Sequence, residues 1–351
     1  MSAPETATSF LPHDSEGMLA ATAALPDHLE AAMADDYSRF SAMADPSAVV
    51  VLGMGGSGVA GAVLQALAAA RAKVPVVVSG SYDCPSFVGR DSLVVAVSFS
   101  GETEETLEAA TAAAERGARL VGLTAGGSLA ELVERAGGEV LAISPSIPQP
   151  RAGIAAMAAP LLLACEAAGV LPGARDDLGG ALDQLRERLP RLIEGGGAAA
   201  ELARRIGRTI PIVHGASGLG AVAARRFKTQ VNENAKAPAF SAEQPEACHN
   251  EICGFGQHGD VTRQVFTLVQ FHLAGDHPQV GRRFDLFGEL AAEAVGDVVE
   301  VTGEGRGPLA GFFDLVAIGD VASLHLAARE GIDPGPVPVL GEIKTRLRSG
   351  R

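Results

Sequence analysis

The sequence predicts an α/β protein made of two tandem, doubly wound parallel sheets, with a helical leader before them and a further helix at the end. Three observations predict this. Short runs rich in Val, Leu and Ile alternate with longer alanine-rich segments. A strand, a small-residue turn containing serine and a helix occur twice, 160 residues apart: Val50-Val51-Leu52 leads to Gly56-Ser57-Gly58, and Pro211-Ile212-Val213 leads to Ala216-Ser217-Gly218. A chain of 351 residues is also comfortable for two domains, at about 150 residues each. Apolar strands alternating with helices require right-handed crossovers and a sheet covered on both faces.

In chain order, an acidic, helix-prone leader fills 1–44. Segments 48–53, 74–79, 92–98, 119–124 and 140–143 read as strands: each is brief, apolar and bounded by Gly, Ser or Pro. Between them 59–72, 103–116 and 129–136 read as helices, giving a first domain over 45–172. A helical connector over 173–208 follows, with linker-like stretches at 172–180 and at the triple glycine 195–197. In the second domain, 209–351, strands are expected at 209–213, 265–271 and 298–301. Its helices are expected at 219–235, 280–294 and 311–330, and a short basic helix follows Val339.

Composition excludes several functions. Hydrophobic residues make up 47% and charged residues 20%, so the chain is globular rather than disordered. A formal charge of −14 argues against nucleic acid or an anionic membrane as partner. Residues 1–22 contain no Lys or Arg, which does not match a secretory signal. The longest apolar run, 154–165, is too short to cross a bilayer. Four cysteines are too few for a disulfide framework. A cytoplasmic location is expected.

One window stands out. The only asparagines, Asn232, Asn234 and Asn250, fall within nineteen residues that also hold Glu233, Lys236 and His249. Lysine is scarce too: Lys73, Lys228, Lys236 and Lys344 leave 24 arginines among 28 basic residues. Polar types otherwise avoided are concentrated there, which marks a candidate site. Cys248, His249, Cys253 and His258 fit no common zinc spacing.

Two turns can bind an anion. Gly53-Met54-Gly55-Gly56-Ser57-Gly58 lies between a strand and a helix, where free amides and the helix dipole attract negative charge. It also reads as GxGxxG, but the second strand ends in Val78-Ser79-Gly80 without the acid that a dinucleotide ribose needs, the nearest being Asp83. The turn after the third strand carries Ser98, Ser100 and Thr103 around Gly101. One hydroxyl suffices for capping; three at a strand end next to Ser57 point to a phosphate.

Ser98-Phe99-Ser100-Gly101-Glu102-Thr103 resembles the phosphosugar turn of the sugar isomerase (SIS) family. Residues 227–236, ending Asn232-Glu233-Asn234-Ala235-Lys236, are similar to the bifunctional phosphoglucose/phosphomannose isomerases, as are Cys248-His249-Asn250-Glu251-Ile252, Gln149-Pro150-Arg151 and the tail from Gly331 to Lys344. The resemblance covers nearly everything from Ala48 onward and implies two αβα sandwiches of flavodoxin-like type. It also implies interconversion of glucose 6-phosphate, and of mannose 6-phosphate, with fructose 6-phosphate through a cis-enediol, without metal or cofactor. Gly56, Ser57, Ser98, Ser100 and Thr103 would hold the phosphate. Glu233 would shuttle the proton, Arg151 would stabilise the enediolate, His249 would open the ring from the neighbouring subunit of a homodimer, and Lys344 would assist at the ring oxygen. The sequence departs from the family at Gly335, where dual-specificity relatives carry a threonine that accommodates the C2 epimer, and this puts the mannose activity in question. Glu102 also adds a negative charge beside the phosphate turn. A phosphosugar sensor without turnover is the alternative reading, and a dinucleotide-dependent oxidoreductase is a more distant one.

Overall fold

The computed structural model describes residues 10–194 and 196–350. The leader forms α1 (Met18–Ala23) and α2 (Leu25–Ala34), followed by a 3-10 turn. The first sheet unit then runs β1 (Ala48–Leu52), α3 (Gly55–Ala68), β2 (Val76–Ser79), β3 (Ser92–Val97), α4 (Glu104–Glu115), β4 (Arg119–Thr124), α5 (Gly127–Arg135) and β5 (Glu139–Ala142). Helices α6 (Ile154–Ala167), α7 (Ala174–Ile193) and α8 (Ala198–Ile206) lead to the second unit. That unit comprises β6 (Ile210–Ala216), α9 (Leu219–Asn234), β7 (Phe240–Gln244), α10 (Gly259–Val265), β8 (Phe266–His272), α11 (Pro278–Ala291), β9 (Asp297–Thr302), α12 (Pro308–Arg329) and α13 (Pro338–Arg348).

Both sheets are parallel throughout, and both place their first strand between their second and third. The orders are β2-β1-β3-β4-β5 and β7-β6-β8-β9, so the second sheet repeats the first without its fifth strand. Register is set by apolar neighbours: Val50 lies beside Val77 on one side and Val94 on the other, and Ile212 lies between Phe240 and Leu268. In such a sheet the order reverses beside the first strand, and a crevice opens at the carboxyl ends of the flanking strands. Both candidate anion turns open from that crevice, one after β1 and one after β3.

Strands β1 and β3 are buried along their whole length. That is why unbroken apolar runs marked them in the sequence. Strand β7 was not anticipated: its residues Phe-Ser-Ala-Glu-Gln lie at the sheet edge, mostly exposed, and carry no apolar run. The linker expected over 172–180 is instead the start of α7. Gly173 precedes the helix in a left-handed conformation, Asp176 and Asp177 complement its N-terminus, and Leu178, Ala181, Leu182 and Leu185 bury one face. This buried stripe outweighs the glycines that read as a break. Helix α3 begins at Gly55, four residues before the expected start, so the glycine turn is itself the first turn of the helix.

Helix α12 is apolar and long enough by composition to cross a membrane, but 94% of that window is buried inside the protein. It packs against α7, α8 and α9. Its two buried acids are both paired, Asp320 with Arg226 and Asp314 with Arg188. Burial pushes both carboxyls up from their ordinary range, and the arginines oppose that shift.

Candidate active site

The turn after β3 is shaped by Gly101. Its φ is +72°, and an added Cβ would stand 1.9 Å from the carbonyl oxygen of Gly126. Only glycine fits this turn, because the strain of a left-handed φ and a backbone overlap coincide. Ser98 is fully buried and its hydroxyl lies 2.8 Å from that of Thr103, which precedes α4. The Ser100 hydroxyl accepts the Glu102 amide at 3.2 Å. The Glu102 carboxylate accepts from the Ser128 amide at 2.7 Å and from its hydroxyl at 3.0 Å. It therefore faces the N-terminus of α5, which accounts for an acid beside the turn. Gly101→Ala is expected to abolish sugar-phosphate binding while far-ultraviolet circular dichroism stays that of the parent; retained affinity would mean that the turn is not the binding element.

Ser57, in the first turn of α3, is buried, and among the described residues its hydroxyl meets only the Met157 sulfur, at 3.7 Å. Gly56 lies against the next element, since a Cβ there would be 3.5 Å from the Pro150 carbonyl oxygen. The first anion turn thus abuts the 3-10 turn Pro150–Gly153 that carries Arg151.

Arg151 connects the two halves of the site. Its side chain is 3% exposed and every nitrogen has a partner. Nε donates to Asn234 Oδ1 at 2.7 Å, Nη1 to Gln149 Oε1 at 3.2 Å and to Glu233 Oε2 at 3.3 Å. Nη2 donates to the carbonyls of Pro334 and Gly335 at 2.6 and 2.8 Å. Burial draws the guanidinium below its ordinary range, while Glu233 and Glu16 favour its charge. Glu233 remains 31% exposed, so its carboxylate is held by Arg151 yet open to a ligand.

Lys236 does not pair with the Glu233 side chain. Its ammonium donates to the Glu233 and Pro334 carbonyls, so it ties the end of α9 to the tail. Burial lowers its pKa, with Arg151 acting in the same direction.

The three asparagines have separate tasks. Asn234 accepts from Arg151 and donates to Ser323 at 2.9 Å; Asn232 closes the turn after α9 on Ala237; Asn250 caps the 3-10 turn that starts at Glu251. Glu251 is anchored by His214, a fully buried histidine of β6, at 2.8 Å. His249 is left exposed, as is Lys344 on α13. Among the described residues, no hydrogen bond or ion pair joins either of them to Arg151 or Glu233. Within one chain the structure therefore unites Arg151 and Glu233 with the tail at Gly335 and brings the first anion turn against them, and it leaves His249 and Lys344 apart.

Three site residues had escaped the sequence reading. Asn234 lay in the asparagine cluster and Gln149 beside Arg151, without roles assigned. Glu16, in the leader, accepts from Gln149 Nε2 at 2.6 Å.

Two parallel α/β units, with a hydroxyl-lined turn after β3 and a buried Arg151 holding the partly exposed Glu233, have the make-up of the SIS class. Residues 42–145 match the SIS domain model, and residues 197–347 match the model of the bacterial phospho-glucose isomerase C-terminal SIS domain. The chain is 35% identical to a bifunctional phosphoglucose/phosphomannose isomerase of Caldicellulosiruptor bescii, over 86% of this chain and 90% of that protein. It is 34% identical to the protein of the same name from Aquifex aeolicus, with the same coverage of 86% and 90%. Among solved structures, the C-terminal domain of glucosamine-fructose-6-phosphate aminotransferase from Francisella tularensis aligns with TM-score 0.68 at 14% identity, over 96% of this chain and all of that one. The chain belongs to the bifunctional phosphoglucose/phosphomannose isomerase family.

Proposed function

We propose that this enzyme interconverts glucose 6-phosphate and fructose 6-phosphate, and accepts mannose 6-phosphate as its second aldose. The observation that carries this reading is the Arg151–Glu233 pair, 3.3 Å apart, with the carboxylate partly open and the first anion turn packed against the element that carries Arg151. Moving a proton between C1 and C2 requires one carboxylate that takes and returns it, and a donor that steadies the enediolate. Glu233 takes the first role and Arg151 the second. Gly56, Ser57, Ser98, Ser100 and Thr103 bind the phosphate through amides and hydroxyls. Their position at the N-termini of α3 and α4 favours that charge.

His249 opens the sugar ring and Lys344 assists at the ring oxygen, each on a surface that a second copy of the chain would cover. Supporting this, α13 presents Val339, Leu340, Ile343 and Leu347, all between 44% and 64% exposed, as a stripe beside Lys344. An apolar stripe of this kind commonly marks an association surface. The working unit is therefore a homodimer. Four free cysteines and a phosphorylated substrate fit a cytoplasmic location.

The reading is tested with chelator-treated protein and fructose 6-phosphate, quantifying glucose and mannose 6-phosphates separately. Both products are expected. Glucose 6-phosphate alone would restrict the enzyme to one aldose, and no product despite sugar-phosphate binding would return the sensor reading. A monomer by light scattering at working concentration would remove His249 and Lys344 from the mechanism as drawn.

A further inference from the structure

The leader has no motif, yet it reaches the site. Asp14 accepts the amides of Met18 and Leu19 at 2.6 and 3.0 Å, fixing the start of α1, and Ser15 donates its amide to Asp333 in the tail at 3.4 Å. Between them Glu16 is directed at Gln149 and Gly335. Its Oε2 lies 2.6 Å from Gln149 Nε2, and the other end of that amide, Oε1, accepts from Arg151 Nη1. The amide has one donor end and one acceptor end. A carboxylate at 16 can only accept, so it turns the Gln149 acceptor toward Arg151.

Glu16 also fills the space beside Gly335. A Cβ at 335 would meet Glu16 Cβ, Cγ and Cδ at 2.8, 2.8 and 2.9 Å, and these are the three nearest atoms. The Gly335 backbone is not left-handed. Its glycine is required by the glutamate, not by the chain's own conformation. The same Gly335 carbonyl accepts from Arg151 Nη2 at 2.8 Å, so Glu16 controls both sides of the guanidinium.

We propose that Glu16 is a positioning residue of this active site: it occupies the place of a side chain at 335 and, through Gln149, holds Arg151 in register with Glu233. This rests on the isomerase reading given above. A Cβ at 335 could be admitted only by moving Glu16 away, backbone and side chain together, since its own Cβ would be 2.8 Å off; that movement breaks its bond to Gln149. The two positions therefore form one device.

A double-mutant cycle on the full chain tests it, with kcat, KM for fructose 6-phosphate and thermal midpoint as readouts. Glu16→Ala and Gly335→Ala should each lower kcat about tenfold with KM within about twofold, because a misplaced guanidinium costs transition-state stabilisation more than ground-state binding. Together they should still cost about tenfold, not about a hundredfold, since residues in one network do not add. Glu16→Gln, which can still accept from Gln149, should recover kcat to within about threefold. Glu16→Gly, which removes all three of the carbons that crowd position 335, should also raise the thermal midpoint of the Gly335→Ala protein. Additive losses, an unchanged kcat in Glu16→Ala, or no rescue by glutamine would each overturn the positioning role in an active enzyme. A wild type without turnover would instead overturn the isomerase reading and the catalytic part of this proposal with it. The thermal arm then still decides whether Glu16 excludes a side chain at 335.

Discussion

Glu233→Gln is expected to fold and bind sugar phosphate as the parent does and to lose isomerase activity by about 10²- to 10⁴-fold, the range for removing a general base. The amide keeps the shape and can still accept from Arg151 Nη1 through its carbonyl oxygen, in place of the present 3.3 Å contact. The carboxylate is 31% exposed but its partner Arg151 is buried, so the amide, which keeps the hydrogen bond and removes the counter-charge, should cost about 1–3 kcal/mol, the range for a hydrogen bond to a buried charged group. On the role proposed for Glu233, the proton taken from C1 or C2 would then have no acceptor. The measurement is kcat for fructose 6-phosphate, with a competitive sugar phosphate titrated to check that binding survives. A variant with parental kcat would move the base elsewhere. A variant that also fails to bind would make Glu233 a binding group.

The contrast between what the sequence announced and what it did not follows burial and distance along the chain. Strands β1, β3 and β4 were legible almost to the residue because both of their faces are covered and, apart from Arg119 at the start of β4, every position is apolar or small. Strand β7 was not, since only Gln244 of its five residues is buried. The asparagine cluster announced a site without revealing its internal assignments. That Asn234 holds Arg151 while Asn232 closes a turn depends on which side of α9 faces the core. Arg151 could be singled out from 24 arginines only by resemblance, because its burial is made by elements far away: α9 and the tail after α12. Glu16 had no signal at all. It meets Gln149 across 133 positions of sequence, and no local pattern encodes a contact of that range. Gly335 was read as a departure from the family, but its neighbour was not legible: the side chain packed against it, Glu16, comes from the leader. His249 was grouped with Glu233 by the asparagine-rich window and by resemblance, Lys344 by resemblance alone, and a single chain keeps both on its surface.

Arg151→Met should lower activity and should lower stability more than Glu233→Gln does, which separates the two. Methionine roughly matches the length of the side chain and supplies no donor. The Asn234 amide oxygen and the carbonyls of Pro334 and Gly335 then lose their partner where water has little access. Orphaned buried acceptors cost about 1–3 kcal/mol each before relaxation, and the loss of one member of a buried charged network costs about 3–5 kcal/mol in all. A denaturation midpoint shift of that size is expected. The tail from Pro334 onward should become more accessible to proteases, because two of its carbonyls are pinned by this one guanidinium. Activity should fall by about 10²- to 10³-fold, as when a preorganised donor to a developing oxyanion is removed. Arg151→Lys would keep the charge, but a point ammonium cannot serve Asn234, Glu233 and two carbonyls at once. It should regain part of the stability and little of the rate. If Arg151→Met is as stable as the parent, the guanidinium does not join the tail to α9. If it is unstable yet turns over normally at low temperature, Arg151 is a structural strut, and another donor must face the enediolate.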